Sequence, residues 1–457
     1  MKRRMVLAAA AQSATLLAGC GLVTRRDSTA SGLTRSSVRT REHQWARTAW
    51  RYVENNADPE TGLAGGSDRS TVFTVSNMAD HLAAIVCAHE LDVIDAREFD
   101  QRLSRVLGFL GGMDLSGGLL PNKAYHALTG KPVNFEGRQA DMGWSAIDIG
   151  RLLIWLKITG QRYPQFQEYA DKAVLRWNFC QVINECGTLY GATRNNSQLN
   201  RYQEGRFGYE QLAAAGYAAW GFTASDAASF KNTHIVRVDG VDLLQDVRDD
   251  RSGVPSPVLS MPFMLMGIEL GWTVPGSPHS GLLREQAQRL YRAQEQRWRR
   301  EKQLTARSDW QSRDAPWVVL DSVFAAGYAW NTVGGDNKEY ENLALVNTRA
   351  AFALAALWPG EYAERLIEGV RFLFDPDRGW YEGRLEAGGG PLANITLATN
   401  AAVLEVLLYQ AKGPLLTVPG QPGHFAWRDG NVFARLERCL PSERAGCAVS
   451  VTGSVGS

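Results

Sequence analysis

Three carboxylates in this 457-residue chain stand where acid–base chemistry can use them: Glu204, Asp141 and Glu382. Glu204 lies in Arg201-Tyr202-Gln203-Glu204-Gly205-Arg206, a glycine-containing loop just ahead of an apolar helical run. Partial burial there would raise its pKa toward the range of a general acid. Asp141 opens Asp141-Met142-Gly143-Trp144-Ser145 at another helix entrance, where the helix dipole favours the ionised form and suits a base. Glu382, in Gly379-Trp380-Tyr381-Glu382-Gly383, is the substitute base. One acid to protonate a leaving oxygen and one carboxylate to activate water or attack carbon are what hydrolysis of an acetal needs. The same residues have plainer uses. Glu204 or Glu210 can pair with Arg206, and Asp141 or Ser145 can cap a helix.

The rings near these carboxylates fit a sugar. Trp144, Tyr202, Trp330, Trp380 and Tyr381 offer flat faces for stacking, with Arg206 and Glu210 as polar contacts, although each ring would serve equally as core. Tyr202 and Arg206 also mimic the base and the uronate-neutralising cation of a polysaccharide lyase. Asp80 and Asp148 lie on apolar runs and read as structural ion pairs or hydrogen-bonded core sites. The basic run Arg297 to Lys302 reads as the solvated end of a helix.

Positioning these groups falls to helices of two kinds. Runs at 43–55, 97–111, 166–177, 283–298 and 362–373 carry one apolar stripe, as Phe99, Leu103, Val106, Leu107 and Leu110 show. Runs near 75–91, 144–159, 208–221, 260–271, 345–358 and 396–410 are apolar on most sides and must be enclosed by others. A weaker amphipathic helix at 223–231 completes an alternation of six and six. That pattern predicts an all-α (α/α)6 toroid, an inner ring wrapped by an outer one. Recurrent turns such as Gly117-Gly118-Leu119-Leu120 and Gly187-Thr188-Leu189-Tyr190-Gly191, each just ahead of an enclosed helix, argue for one continuous ring. Inserts at 232–257, with short strands around Ile235–Val238, and at 302–342 interrupt it.

Ser76-Asn77-Met78-Ala79-Asp80, Gly143-Trp144-Ser145-Ala146, Gln203-Glu204-Gly205-Arg206 and Gly208-Tyr209-Glu210 resemble segments of the bacterial DUF3131 family, over most of 45–410. That family is similar to glucoamylase-like toroids that include endo-β-1,2-glucanases, and the resemblance implies an envelope or exopolysaccharide role. Where the family pattern opens a helix with Ser-Glu-Pro-aromatic, this chain has Ser260-Met261-Pro262-Phe263. If the family's Glu is catalytic, the chemistry here is altered or lost. The two principal expectations are therefore a glycoside hydrolase and a non-catalytic polysaccharide-binding or assembly lipoprotein.

The N-terminus carries an address. Lys2, Arg3 and Arg4 precede an apolar run from Met5 to Leu17, and Leu17-Ala18-Gly19-Cys20 resembles the lipobox of bacterial lipoproteins. The resemblance implies lipidation of Cys20 and a periplasmic face, with the outer membrane favoured by Gly21. The expected division is a signal peptide at 1–20, a stalk rich in Ser, Thr and Arg at 21–41, the toroid at 42–411 and an irregular extension at 412–457. Five cysteines remain after Cys20, and proximity in sequence predicts local Cys180–Cys186 and Cys439–Cys447 disulfides in an oxidising compartment, leaving Cys87 as a buried thiol. No zinc spacing is present, and no metal or cofactor is expected. A formal charge of +1 gives nucleic acid no field to follow. Apolar residues at 45% and charged residues at 21% exclude intrinsic disorder and collagen-like repeats.

Overall fold

Four of the six enclosed helices start where a loop supplies a side-chain cap. In the computed structural model, which describes residues 35–195, 198–249, 256–274, 279–388, 390–416 and 438–447, Thr74 and Asn77 form a capping box for α2 (Val75–Glu90). Ser145 caps α4 (Ala146–Arg162), Asn347 caps α9 (Thr348–Leu357) and Thr396 caps α11 (Leu397–Lys412). With α6 (Tyr209–Ala219) and α7 (Met261–Leu270) these make an inner ring. The helices pack in the order α2, α4, α6, α7, α9, α11, and α11 returns to α2 to close the circle. The tightest approach is between α4 and α6. A Cβ on Gly216 would lie 1.9 Å from the Gly150 carbonyl oxygen, and one on Gly150 would lie 2.6 Å from Ala213, so any larger residue there would push the two helices apart.

Five helices of the striped kind lie outside: α1 (Arg35–Asn56), α3 (Ala96–Gly112), α5 (Gln167–Val174), α8 (Ser280–Glu301) and α10 (Glu361–Val370). Their apolar stripes and the inner helices enclose one core that includes Trp50, Trp155, Trp177, Trp220 and Trp380. Helix α1 begins at Arg35, ahead of the expected end of the stalk at 41. No glycine or proline interrupts that stretch, and Arg41 lies over the Trp45 ring at 4.8 Å.

The expected helix at 223–231 does not form. The amides of Asp226 and Ala227 bond the carbonyls of Cys186 and Gly187 (3.0 and 3.1 Å), so they are unavailable to a helical ladder. A hairpin of strands Thr233–Val238 and Val241–Asp246 follows, in the insert where short strands are expected, and Gln286 of α8 bonds both backbone groups of Leu244. Strand content elsewhere goes beyond the small insertions expected of a mainly helical toroid. Strands 345–347, 379–385, 374–375 and 391–395 form a four-stranded antiparallel sheet, and shorter hairpins fill most inner-helix entrances.

The local disulfides are also corrected. Cys180 bonds Cys439 and Cys186 bonds Cys447, so both bridges join segments about 260 residues apart. Residues 438–447 lie against the 176–183 loop, with Phe179 N donating to Arg438 O (3.0 Å) and Arg444 donating to the carbonyls of Phe179 and Ile183. Sequence proximity misleads because the turn at 180–186 meets a returning chain. Cys87 is a free buried thiol. The signal peptide and Cys20 lie outside the described residues. No helix among those described is long and apolar enough to cross a membrane.

Candidate active site

A hairpin of strands Tyr190–Asn195 and Gln198–Gln203 delivers Glu204 to the N-terminus of α4. Glu204 N bonds Leu189 O (3.0 Å), and the carboxyl Oε2 accepts from Ala146 N in the first turn of α4. Gly191 lies beneath the carboxyl: a Cβ there would sit 2.6 Å from Oε2. Loss of hydration pushes the Glu204 pKa up to about 7, and the nearby Asp148 charge adds to the rise against the Ala146 amide and Lys123. Asp148 is itself raised to about 6, chiefly by burial. Lys123 donates to Tyr202 Oη (3.3 Å), and its ammonium lies 5.7 Å from the centre of that ring. The entrance thus gathers Glu204, Asp148, Lys123, Tyr202 and Ser145. Sequence reasoning found Glu204 and Tyr202, read Asp148 as structural and gave Lys123 no role.

Asp141 is occupied otherwise. It accepts from Ser116 Oγ, Gly117 N (2.9 Å) and Gly143 N (3.2 Å) and pairs with Arg194 (3.1 Å), which fastens two hairpins together. Arg206 bonds Gln203 Oε1, Gly205 O and Asp249 O. The cation in contact with Glu210 is Arg248 (2.6 Å), and burial raises the Glu210 carboxyl to about 7. Glu382 is buried, accepts from Thr396 and Thr399, and is raised by burial against the pull of Arg349.

Two expected stacking rings are corrected. Trp144 and Trp380 are 0% exposed. Their indole N–H groups donate to Tyr190 O (3.1 Å) and Trp45 O (3.2 Å), so both are core. Trp330 is half-buried under the Arg297 guanidinium (4.7 Å), and Tyr381 is half-buried in its sheet. Trp317 and Tyr328, each 66% exposed at hairpin turns of the 302–342 insert, are among the large rings open to solvent that the sequence reading passed over, with Phe135 and Phe372.

A second carboxylate stands at the entrances of α6 and α9. Asp309 accepts from Tyr209 Oη (2.8 Å) and Ser308 Oγ (2.9 Å) and pairs with Arg349 (2.9 Å). Although burial opposes ionisation, Arg349 and these donors hold its pKa below the usual aspartate value. Ser308 Oγ also accepts from the backbone N of Met261 (3.2 Å). Met261, whose side chain is buried, is thus linked through its backbone N and Ser308 to the Asp309 carboxylate. Nothing in a Met261-Pro262-Phe263 reading pointed to Asp309, because the insert that carries it lies 48 residues further on.

Deeper in the ring, Arg151 meets Asp80, Glu269 (3.3 Å) and Glu405 (3.1 Å), and Trp155 Nε1 donates to Glu269 (2.8 Å). Glu269 and Glu405 are both raised by burial. All four charged groups are almost wholly buried, so this cluster is a structural floor joining α2, α4, α7 and α11. Among the described residues no group of His, Cys, Asp and Glu has the form of a metal site.

The DUF3131 family, described as a protein of unknown function, matches residues 44–413. No curated protein matches in sequence. Among solved structures, a β-1,2-glucanase from Parabacteroides distasonis is 16% identical with a TM-score of 0.58, over 84% of this chain and 58% of that one. The endo-β-1,2-glucanase of Chitinophaga pinensis, solved with sophorotriose and glucose, is 13% identical with a TM-score of 0.56, over 82% and 93%. A cellobiose 2-epimerase from Bacillus thermoamylovorans is 10% identical with a TM-score of 0.50, over 82% and 100%. At these identities the likeness is one of fold, and the fold hosts more than one sugar chemistry.

Proposed function

The chain belongs to the DUF3131 family, and from that premise we propose that it is a glycoside hydrolase acting on an envelope or secreted polysaccharide, tethered by a lipid on Cys20 to the periplasmic face of a membrane, with the outer membrane favoured. The observation that carries the catalytic reading is the Glu204 carboxyl. It is half-buried at an inner-helix entrance, raised to about 7 and beside a second carboxyl, so it keeps a proton near neutral pH. Asp309, held ionised by Arg349, is the matching carboxylate. Two carboxyls whose surroundings push their pKa values in opposite directions are the acid and base that glycoside hydrolysis requires. Asp141 and Glu382, fully engaged in structural bonds, hold loops. The substrate class rests on the fold, on the β-1,2-glucanase likeness and on the rings of Tyr202, Trp317 and Tyr328.

The test is hydrolysis of β-1,2-glucan, other periplasmic β-glucans and uronate polymers by wild type and Glu204→Gln. Loss of the acid lowers kcat about 10²–10⁴-fold while glycan binding persists. Equal turnover by both proteins removes Glu204 from the acid role. Unsaturated products assign β-elimination instead, and binding without turnover by wild type assigns the non-catalytic role that Met261 suggests.

A further inference from the structure

Gln203, the residue before Glu204, has both polar atoms of its carboxamide engaged. Its Nε2 donates to the carbonyls of Glu204 (2.9 Å) and Gly205 (3.3 Å) and to Glu210 Oε1 (3.0 Å), and its Oε1 accepts from Arg206 (2.8 Å). The side chain thus ties the Glu204 backbone to the first turn of α6, where Glu210 lies. Glu210 is gripped from its other side. Its Oε2 accepts from Arg248 Nη2 (2.6 Å), and the same nitrogen reaches Asp246 Oδ2 (2.7 Å). Asp246 also accepts from Arg248 Nε (2.9 Å) and from the amides of Phe207 and Arg248 (2.8 Å each). Arg206 makes a second tie by donating through Nε to Asp249 O (2.8 Å). Asp246, Arg248 and Asp249 end the described part of the insert whose hairpin Gln286 fixes to α8. The loop between these ties has no slack. Gly205 has a φ of 103°, and a Cβ there would lie 2.8 Å from Ile147 Cδ1 of α4 and 2.9 Å from Glu210 Cβ of α6.

We propose that the insert carrying Asp246 and Arg248 is a clamp that sets the place of Glu204, with Gln203, Glu210 and Arg248 as positioning residues that act through it. The inference rests on the reading of Glu204 as the general acid. The hairpin holds Glu204 on one side only, through its N and Leu189 O. On the other side its carbonyl is held by Gln203, and Gln203 is held by the insert through Glu210 and Arg206. A general acid must lie within hydrogen-bond reach of the leaving oxygen, so a shift of about 1 Å in its backbone costs up to about 10²-fold in rate. The clamp also needs Glu210 to be a carboxylate. Each of its oxygens accepts from a different donor, Gln203 or Arg248, and an amide can serve only one of them. Glu210 and Arg206, which the sequence offered as contacts for a sugar, are thus tied to the acid loop and the insert.

The test compares wild type with Gln203→Met, Arg248→Met and Arg248→Lys, by β-glucan hydrolysis, by denaturant unfolding and by infrared titration of the Glu204 carboxyl. The carboxyl is read as the difference between each protein and the same protein carrying Glu204→Gln. In both Met variants kcat is expected to fall about 10–100-fold with KM within about twofold of wild type. The Glu204 midpoint, about 7 in wild type, should move toward 4.5 as the displaced carboxyl regains water, and the upper limb of the kcat/KM profile should move with it. Arg248→Lys keeps a cation for Glu210 without the fork on Asp246 and should fall between Arg248→Met and wild type. Lower stability with wild-type kcat and an unmoved Glu204 midpoint would show a merely structural tie and overturn the proposal. Arg248 lies outside the acid loop, so its variants decide the matter if Gln203→Met fails to fold. The titration needs no substrate. A displaced midpoint in a protein that hydrolyses no glycan refutes the hydrolase reading and leaves the clamp standing, whereas fully active variants refute the clamp alone.

Discussion

The entrances at α4 and at α6 and α9 place a carboxylate at the same kind of position and treat it oppositely. Both stand beside the N-terminus of an inner helix, where the dipole favours negative charge. Glu204 even accepts from a first-turn amide, yet its pKa rises to about 7, whereas Asp309 falls below its ordinary value. Burial raises both, so neither burial nor the helix end decides the outcome. The deciding feature is the neighbour in contact. Asp309 has Arg349 at 2.9 Å and two hydroxyl donors, while Glu204 shares its surroundings with a second carboxyl, Asp148. The entrances also differ in how they are held. The Glu204 hairpin continues from a loop bonded through two disulfides to residues 438–447, whereas the Asp309 strand is secured by an ion pair from α9.

The largest effect is expected from the bridges. Contacts run from Cys439 and Cys447 through the 179–183 loop to Tyr190, whose N bonds Val182 O (2.8 Å), and on to Glu204, whose N bonds Leu189 O. Cys439→Ser with Cys447→Ser should cost roughly 2–5 kcal/mol, because each bridge closes a very long loop in the unfolded chain. Denaturant unfolding measures the loss. Hydrogen exchange tests the comparison: protection should fall in 179–204 and persist in 309–349. Equal loss in both segments would show that the entrances are held by the same device.

Arg349→Met attacks the other entrance. Removing the guanidinium leaves the Asp309 carboxylate without its counter-ion and should cost about 2–4 kcal/mol near neutral pH. The sign follows from the lowered pKa. Asp309 contributes stability above its unfolded pKa and loses it as pH falls through the folded value. The deficit of the variant should therefore be greatest near pH 7 and shrink below about pH 4. A deficit that stays constant from pH 3 to 7 would mean that Arg349 acts by packing alone. Glu204 should keep its midpoint in this variant, since Arg349 is not among the groups that shift it.

Much of the ring was legible because enclosure leaves a plain signal. A run such as Val75–Glu90 is apolar on most faces, and Thr74 with Asn77 marks its start. The missing outer helix was not legible, because 223–231 has helix-compatible residues whose amides are claimed by carbonyls of a distant loop. The disulfides failed for the same reason, since pairing across 259 and 261 residues leaves no local trace. At the site, loop position singled out Glu204, but an aromatic at a helix entrance can turn inward, as Trp144 and Trp380 do. Asp148 is harder to read, because an acidic residue on an apolar helix is the sequence signature both of a buried ion pair and of a carboxyl whose pKa is raised by burial. Asp80 and Asp148 both lie on enclosed helices but differ in exposure and in partner: Asp80 is buried and meets Arg151, while Asp148 is half-buried with Glu204 nearby.

The smallest effect expected separates the entrances most cleanly, because it has opposite signs at the two. A carboxyl whose folded pKa is raised destabilises the fold once it must ionise. Between the unfolded value of 4.5 and about 7, the folded protein holds a proton at Glu204 that the unfolded chain has released. Stability contributed by this group is therefore full below pH 4.5 and is lost as pH rises through 7. Glu204→Gln removes the titration, and the Gln carbonyl can still accept from Ala146 N. The variant should thus match wild type near pH 4.5 and become more stable by about 1–3 kcal/mol at pH 8. That range is set below the full shift because the side chain keeps some contact with water. At Asp309 the opposite slope is expected, with Asp309→Asn less stable than wild type at pH 8 and closest to it in acid. Denaturant midpoints of the three proteins from pH 4 to 8 decide the matter. A Glu204→Gln protein less stable than wild type at pH 8 would mean that the carboxylate is welcomed at the α4 entrance. The two entrances would then be electrostatically alike, and Glu204 would lose the feature that marks it as an acid.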